Sequence, residues 1–273
     1  MITAILPARN EKYLQNTITS LLDNAEGDIE VIAVLDGYWP DPPIKDDPRV
    51  ILIHKTLSGG MRAGINSAVA ISKGEFLMKA DAHCMFSKGF DRILSEDCKE
   101  NQVMIPRRYP LDVDKWQIEE RTDNKYPIDY MYLDSTLHGV EWRDRRDDPN
   151  HKDLLIDDLM SSQGSVWFMP KALFHKLDLM DDVNYGTFWN EFQEIGLKAW
   201  LGGYEVKINK KCWYAHWHKN EGRGYSLPSE QQIIGQTQTN KWPEFGKAWD
   251  KQKLPISWLV KKFNPPGWDK NIL

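Results

Sequence analysis

The sequence predicts an α/β fold built on a Rossmann-like, mostly parallel central sheet flanked by helices. Two observations predict it. Short apolar runs alternate with segments of helical period across residues 1–100, and one run, Glu30-Val31-Ile32-Ala33-Val34-Leu35, reads as a strand buried on both faces. Repeated strand–helix–strand units imply parallel pairing through right-handed crossovers. The 273 residues suffice for one large domain, and the chain is read as one, residues 1–273.

Taken in order, residues 3–6 form a short apolar run closed by Pro7. Residues 11–22 carry Leu14, Ile18, Leu21 and Leu22 at helical spacing. The strand over 30–35 ends in Asp36-Gly37, residues 50–53 repeat the strand pattern, 60–72 read as a helix, and 75–80 as a strand. No GxGxxG fingerprint is present. Residues 107–153 are polar, rich in Asp and Arg and punctuated by proline, which predicts loop structure; the charged run over 141–148 reads as solvated loop or acceptor-facing surface. Order returns with a strand over 164–169 and a helix from Lys171. A helix over 189–201 follows, closed by Gly202-Gly203, and then strands over 204–208 and 212–217. The tail from Pro243 holds Trp and Lys, with Pro265-Pro266-Gly267 as a breaker.

Composition bounds the function. A hydrophobic share of 41% beside 27% charged residues describes an ordered globular chain. The net charge of −5 gives no general push toward nucleic acid or anionic membrane, although a local basic stripe stays open. Three cysteines without a CxxC pair read as reduced thiols, and the N-terminus lacks a signal-peptide pattern, so the expected location is the cytoplasm. No apolar run reaches membrane-spanning length. The twelve tryptophans, most of them in the second half, suit a core or a stacking surface for sugars or bases, and core is the better prior for any one.

The chemistry concentrates at Asp81-Ala82-His83, where the strand over 75–80 ends. Side chains two apart on a strand point to one side, so a carboxylate and an imidazole converge there. That pair suits a borderline divalent cation, and carboxyl ends of parallel strands are where such sheets place ligands. A strand-end cap beside a hydrogen-bonded surface histidine is the plain alternative.

The segment Leu77-Met78-Lys79-Ala80-Asp81-Ala82-His83-Cys84 resembles the metal-binding strand of the polypeptide N-acetylgalactosaminyltransferases, members of the GT-A glycosyltransferase class and more distantly akin to the family 2 glycosyltransferases. Other pieces follow in family order. Pro7-Ala8-Arg9-Asn10-Glu11 is similar to the nucleotide-contacting His-Asn-Glu segment, with Arg9 in place of the His. Asp36 matches the Asp beside the uracil base, although an Asp before Gly37 equally suits turn chemistry. Arg62, in Gly60-Met61-Arg62, sits where an Arg-bearing helix start flanks the nucleotide. Ser161–Trp167, with Gly164, takes the place of the strand lining the sugar pocket; Trp189-Asn190-Glu191 resembles the Trp-Gly-Gly-Glu stretch, with Glu191 on its sugar-contacting Glu and Trp189 displaced by one. Ala215-His216 is similar to the Gly-His that completes the metal site, while His218 shares its strand. Residues 219–228, with Arg223 and Tyr225, resemble the mobile catalytic lid.

The resemblance implies the GT-A fold with a smaller mixed sheet on the acceptor side, a nucleotide-binding half over 1–100, a sugar and acceptor half over 101–240 and a tail over 241–273. It implies Mn²⁺, or Mg²⁺, on Asp81, His83 and His216. The nucleotide would meet Pro7, Ala8, Arg9, Glu11, Asp36, Arg62 and Asp81, the sugar Gly164, Trp189 and Glu191, with Glu191, Arg223 and Tyr225 catalytic. The expected reaction moves a sugar from a UDP-sugar to a hydroxyl. Phe192 stands where inverting relatives place an Asp base, which implies retention; Glu191 or Glu194 as base would reverse that. Acceptors in view are a glycan or lipid-linked precursor and the hydroxylated bases of DNA, the latter suggested by Arg107-Arg108, Lys207 with Lys210-Lys211, Lys261-Lys262, Trp213 and Trp217. No protein partner is implied. A nucleotide-sugar-binding module without transfer, and a nucleotidyltransferase, are the competing readings; the second normally shows a glycine-rich loop that 7–11 lacks.

Overall fold

A computed structural model describes residues 1–121, 125–219, 222 and 224–269. The first half follows the predicted alternation: β1 (Ile2–Ala8), α1 (Leu14–Asn24), β2 (Ile29–Asp36), β3 (Val50–Lys55), α2 (Met61–Ile71), β4 (Phe76–Ala80), β5 (Cys84–Phe86) and α3 (Phe90–Asp97). The second half holds β6 (Gln102–Asp112), β7 (Gln117–Ile118), β8 (Met131–Leu133), β9 (Gly139–Glu141), α4 (Arg143–Asp147), β10 (Ile156–Asp158), β11 (Val166–Pro170), α5 (Lys171–Lys176), α6 (Glu191–Leu201), β12 (Glu205–His216), α7 (Ser229–Thr239) and α8 (Ile256–Phe263).

The main sheet runs β10-β12-β6-β11-β4-β1-β2-β3, and β8-β9 form a separate antiparallel pair. Strands β1 to β4 pair in parallel, as do β6 and β12, while β11 lies antiparallel between β4 and β6. This is the GT-A fold expected from the sequence. All eight residues of β2 are buried, which accounts for its unbroken apolar run.

Two expectations need correction, and one helix was not foreseen. Residues 102–112, read partly as loop, form the long strand β6, whose polar Arg107 and Arg108 hid the pattern. The strands expected over 204–208 and 212–217 are one strand, β12, broken only by a register shift between Asn209 and Trp213. The tail contains α8, whose Ile256, Leu259, Val260 and Phe263 pack into the core at helical spacing. Among the described residues no helix is long and apolar enough to cross a membrane.

One buried polar cluster fixes how the helices sit behind the sheet. Arg62 on α2 and Glu194 on α6 are both fully buried and ion-paired, and Lys198 adds a second contact to Glu194 at 2.7 Å. Arg62 Nη2 also donates to the Trp189 carbonyl at 2.8 Å. Two buried cations thus share one carboxylate, so losing that charge leaves both uncompensated. Glu194→Gln is expected to destabilise the fold by about 3–5 kcal/mol in urea denaturation. Glu96→Gln, at the exposed Arg92 pair, is expected to cost less than about 1 kcal/mol.

Candidate active site

The site lies where β4 ends beside β12. Backbone alternation carries Lys79 and Asp81 to the same side, and Asp81 N donates to the Ser165 carbonyl at 2.8 Å, holding the chain beyond β4 against the approach to β11. The antiparallel pairing of β5 with β12 sets His216 opposite Cys84, next to His83. A residue distant in sequence thereby joins the Asp81–His83 pair.

Asp81, His83 and His216 each offer a ligand atom, all within 4.8 Å of one another. His216 Nε2 lies 3.1 Å and His83 Nε2 4.0 Å from Asp81 Oδ2. Burial and the Arg108 charge hold His216 neutral, well below its ordinary pKa. Burial opposes the ionised form of Asp81, but Lys79, His216 and His83 outweigh it and keep the carboxyl well below the usual range. A charged Asp81 carboxylate and a neutral His216 imidazole are the protonation states a borderline divalent ion requires, and His83 adds a third donor atom, so the donor set fits one. His83 Nδ1 is anchored 3.0 Å from Glu11 Oε2, and Lys219 Nζ holds the other Glu11 oxygen at 2.6 Å.

The triad opens on a cavity of ≈ 610 Å³. Of the expected residues, Pro7, Ala8, Arg9, Glu11, Asp36, Asp81, His83, His216 and Tyr225 line it. Arg9 donates to Ser58 Oγ at 2.9 Å, and its guanidinium lies 4.4 Å from the centre of the Tyr225 ring. Asn10 Nδ2 donates to the Gly224 carbonyl at 3.1 Å, so Gly224 and Tyr225, of the segment expected to be a lid, lie against the 9–10 turn. Arg223 is outside the described residues.

The remaining expected residues sit elsewhere. Arg62 does not reach the cavity, because its whole side chain is buried against Glu194. Glu191, 6% exposed, lies below the cavity wall: Oε1 accepts from Trp167 Nε1 at 2.8 Å and Oε2 from Lys79 at 3.1 Å. Burial raises its pKa against the pull of Lys79. Gly164 contributes its carbonyl to Lys79 instead of lining the cavity, and half-buried Trp189 packs edge-on against Phe188. Asp36, by contrast, does line the cavity, and its carboxylate is engaged there by the 58–60 loop, accepting from Ser58 Oγ at 2.6 Å, Gly59 N at 2.8 Å and Gly60 N at 3.1 Å. Gly60 is at φ +87, and a Cβ there would lie 2.5 Å from Thr187 Cβ, so the loop before α2 needs glycine.

Sequence reasoning missed Lys79 and Arg108. Lys79, 1% exposed, binds Asp81 Oδ1 at 2.8 Å, the Gly164 carbonyl and Glu191. Its one signal was a single charge in the apolar run over 76–80. Arg108, 8% exposed, donates to Gln163, His216 and His218. The basic clusters are largely neutralised within the chain: Arg107 by Asp129, Lys207 and Lys262 by Asp158, and Lys211 by Asp97.

With this geometry in place, similarity to known proteins becomes specific. The sequence matches Glycosyl transferase family 2 over residues 3–177. The chain belongs to that family. It is 22% identical over 203 residues to glycosyltransferase GlyG of Streptococcus pneumoniae serotype 4 (strain ATCC BAA-334 / TIGR4), covering 68% of this chain and 60% of GlyG. It is 29% identical over 113 residues to the uncharacterized glycosyltransferase EpsJ of Bacillus subtilis (strain 168), covering 38% of this chain and 32% of EpsJ. The family 2 chain thus spans less than two thirds of either relative. In structure it resembles GalNAc-T7 crystallised with UDP, GalNAc and Mn²⁺, with a TM-score of 0.73 at 13% identity over 97% of this chain and 57% of that one. S. aureus TarS 1-349 in complex with UDP-GlcNAc gives 0.56 at 14% identity over 96% and 71%.

The site also predicts a pH response. His218 is pushed down to about 4 by burial and the Arg108 charge, and His216 is likewise depressed. In the unfolded chain both protonate near pH ~6.5. Between that value and the folded pKa the unfolded state binds more protons, so stability falls as pH falls through the window. The Tm is expected to drop between pH 7.5 and 5, and to drop less in His218→Gln. An equal drop in the two proteins would contradict this account.

Proposed function

We propose that the chain transfers a sugar from a UDP-sugar to a hydroxyl acceptor with the help of a divalent cation. One observation carries the reading: a carboxylate and two imidazoles converge at the carboxyl end of β4, on the wall of a cavity also lined by the 7–11 turn. The resemblance to GalNAc-T7 crystallised with UDP, GalNAc and Mn²⁺, and to TarS with UDP-GlcNAc, supports the donor class and the metal. Asp81, His83 and His216 would hold Mn²⁺ or Mg²⁺, which when bound neutralises charge growing on the departing diphosphate. Arg9 adds a cation to that end of the cavity, and Asp36 shapes the base end by fixing the 58–60 turn. Tyr225, with Arg223 close to it in sequence, covers the diphosphate and excludes water that would hydrolyse the donor. Glu191 acts on the sugar side through Lys79.

Retention of configuration is the proposed stereochemistry. Among the described residues, the carboxylates lining the cavity are Glu11, Asp36 and Asp81, and each is already held by donors. Phe192 cannot accept a proton. With no unengaged carboxylate there, the leaving phosphate is the natural acceptor of the incoming hydroxyl's proton. A glycan or lipid-linked acceptor is favoured over DNA, because Arg107, Lys207, Lys211 and Lys262, four of the cations that would hold phosphates, are paired internally. The unpaired thiols Cys84, Cys98 and Cys212 suit a reducing cytoplasm.

The test is a panel of UDP-sugars with Mn²⁺, scored by released UDP. The active pairing is expected to lose at least about 100-fold in Asp81→Ala and His216→Ala, and to give a product of retained anomeric configuration by NMR. Unchanged turnover in both variants would remove the metal assignment, and an inverted product would remove retention.

A further inference from the structure

The tryptophans divide into two groups. Trp142, Trp167, Trp200, Trp242 and Trp249 are buried in the apolar core. Trp116, Trp213 and Trp217 belong to neither core cluster, and each is half-buried. Contiguous aromatic surface left outside the core ordinarily serves an interaction. Here it begins at the cavity. Trp217 lines the cavity wall, and its backbone N–H donates to the His83 carbonyl at 3.2 Å. The half-buried Tyr13 ring meets Trp217 edge-on at 5.2 Å and lies 6.1 Å from Trp116 at an interplanar angle of 33°. Trp213 is on the face of β12 opposite to His216, and its ring meets Tyr109 edge-on at 6.0 Å. Tyr109 stands across from Ala215, between Trp213 and Trp217 along the strand.

Trp116 sits at φ +51 in the turn that joins β6 to β7. Glycine or asparagine would hold that backbone with less strain, so what tryptophan adds there is its ring. Asp112 stiffens the turn, its Oδ1 accepting from Asp114 N and Lys115 N, both at 3.1 Å. The surroundings then select an occupant. A pyranose ring has apolar C–H faces that lie on aromatic rings, and a rim of hydroxyls that needs polar partners. Nucleobases also stack, but they bring phosphates. Around Trp116 the chain carries Asp112, Asp114, Glu119 and Glu120 against Lys115, and Asp114, Glu119 and Glu120 are exposed. Such carboxylates accept from hydroxyls and repel a phosphodiester. The exposed Lys12, whose Nζ lies 5.2 Å from the centre of the Tyr13 ring, adds a donor to the same surface.

We propose, on the basis of the sugar transfer inferred for the adjoining cavity, that Trp217, Tyr13 and Trp116, with the Trp213–Tyr109 pair, form the acceptor subsite, and that the acceptor is a neutral saccharide chain of several units. Trp217 joins the two regions, since it belongs both to the cavity wall and to the aromatic surface. Rings outside the cavity hold units of the chain remote from the reacting hydroxyl, so a single sugar unit gains little from them.

Calorimetric titration of the full chain tests this, first with UDP and Mn²⁺ and then, at saturating UDP, with chitotetraose, cellotetraose, maltotetraose, laminaritetraose and an oligothymidylate. At least one tetrasaccharide is expected to bind, and to bind at least about tenfold more tightly than its own monosaccharide. Trp116→Asn suits the φ +51 backbone, and Trp213→Thr keeps a strand-forming residue. Each is expected to weaken tetrasaccharide binding about tenfold, and either carries the test should the other fail to fold. Trp39→Ala, 77% exposed and stacked on His54 of the edge strand β3, is expected to bind as wild type does. Absence of binding by every tetrasaccharide, or equal binding by wild type and the folded ring variants, overturns the inference and leaves sugar transfer standing. Oligothymidylate bound in place of every tetrasaccharide, and lost in Trp116→Asn, assigns the surface to nucleic acid and likewise overturns it. Failure of UDP to bind removes the transfer reading, and the acceptor assignment with it.

Discussion

The ammonium of Lys79 is the interaction on which the site depends. It lies in a strand buried on the core side, and a charge there is tolerable only with partners. Its partners come from three separate stretches: Asp81 just past β4, the Gly164 carbonyl just before β11, and Glu191 at the start of α6. One buried group therefore sets the distance between the carboxylate of the triad and the segments expected to form the sugar side. Trp167 closes the arrangement by donating to the remaining Glu191 oxygen, so that carboxylate is satisfied without solvent.

A second constraint acts through the sheet. β12 enters parallel to β6 and continues past the register shift at Asn209/Trp213 to pair with β5, which delivers His216 beside His83. Without that pairing the Asp81–His83 pair has no third member. The Arg62–Glu194–Lys198 cluster secures the opposite wall, because it ties α2, which follows the Gly60 turn, to α6. The Asp81–His83–His216 triad, the Gly60 turn and α6 are thus positioned by buried charge and strand pairing, with the apolar core as the frame around them.

Much of this was legible in the sequence. The alternation over residues 1–100 follows from unbroken apolar strand runs set between helices of period 3.6, and the triad from Asp81-Ala82-His83 read with Ala215-His216. Arg62 and Glu191 show where such reading stops. Both residue types suit ligand contact, yet burial is decided by which helix packs on which, and that places Arg62 against Glu194 and Glu191 beneath Lys79. Strand β6 escaped because its arginines bond to Asp129 and Gln163 across tertiary contacts that no local pattern records. Lys79 and Arg108 escaped for the same reason: the Gly164 carbonyl and Glu191 around Lys79, and Gln163, His216 and His218 around Arg108, are brought there only by folding. Acceptor choice lies further from sequence still, since loops shape that pocket.

The central claim is the proposal that Asp81, His83 and His216 together hold one divalent ion. Crystals grown with UDP and Mn²⁺, examined by anomalous diffraction at the manganese edge, test it most directly. The account predicts a single anomalous peak among Asp81, His83 and His216. UDP bound in the cavity with no anomalous density at the triad, or a peak on other residues, would contradict it.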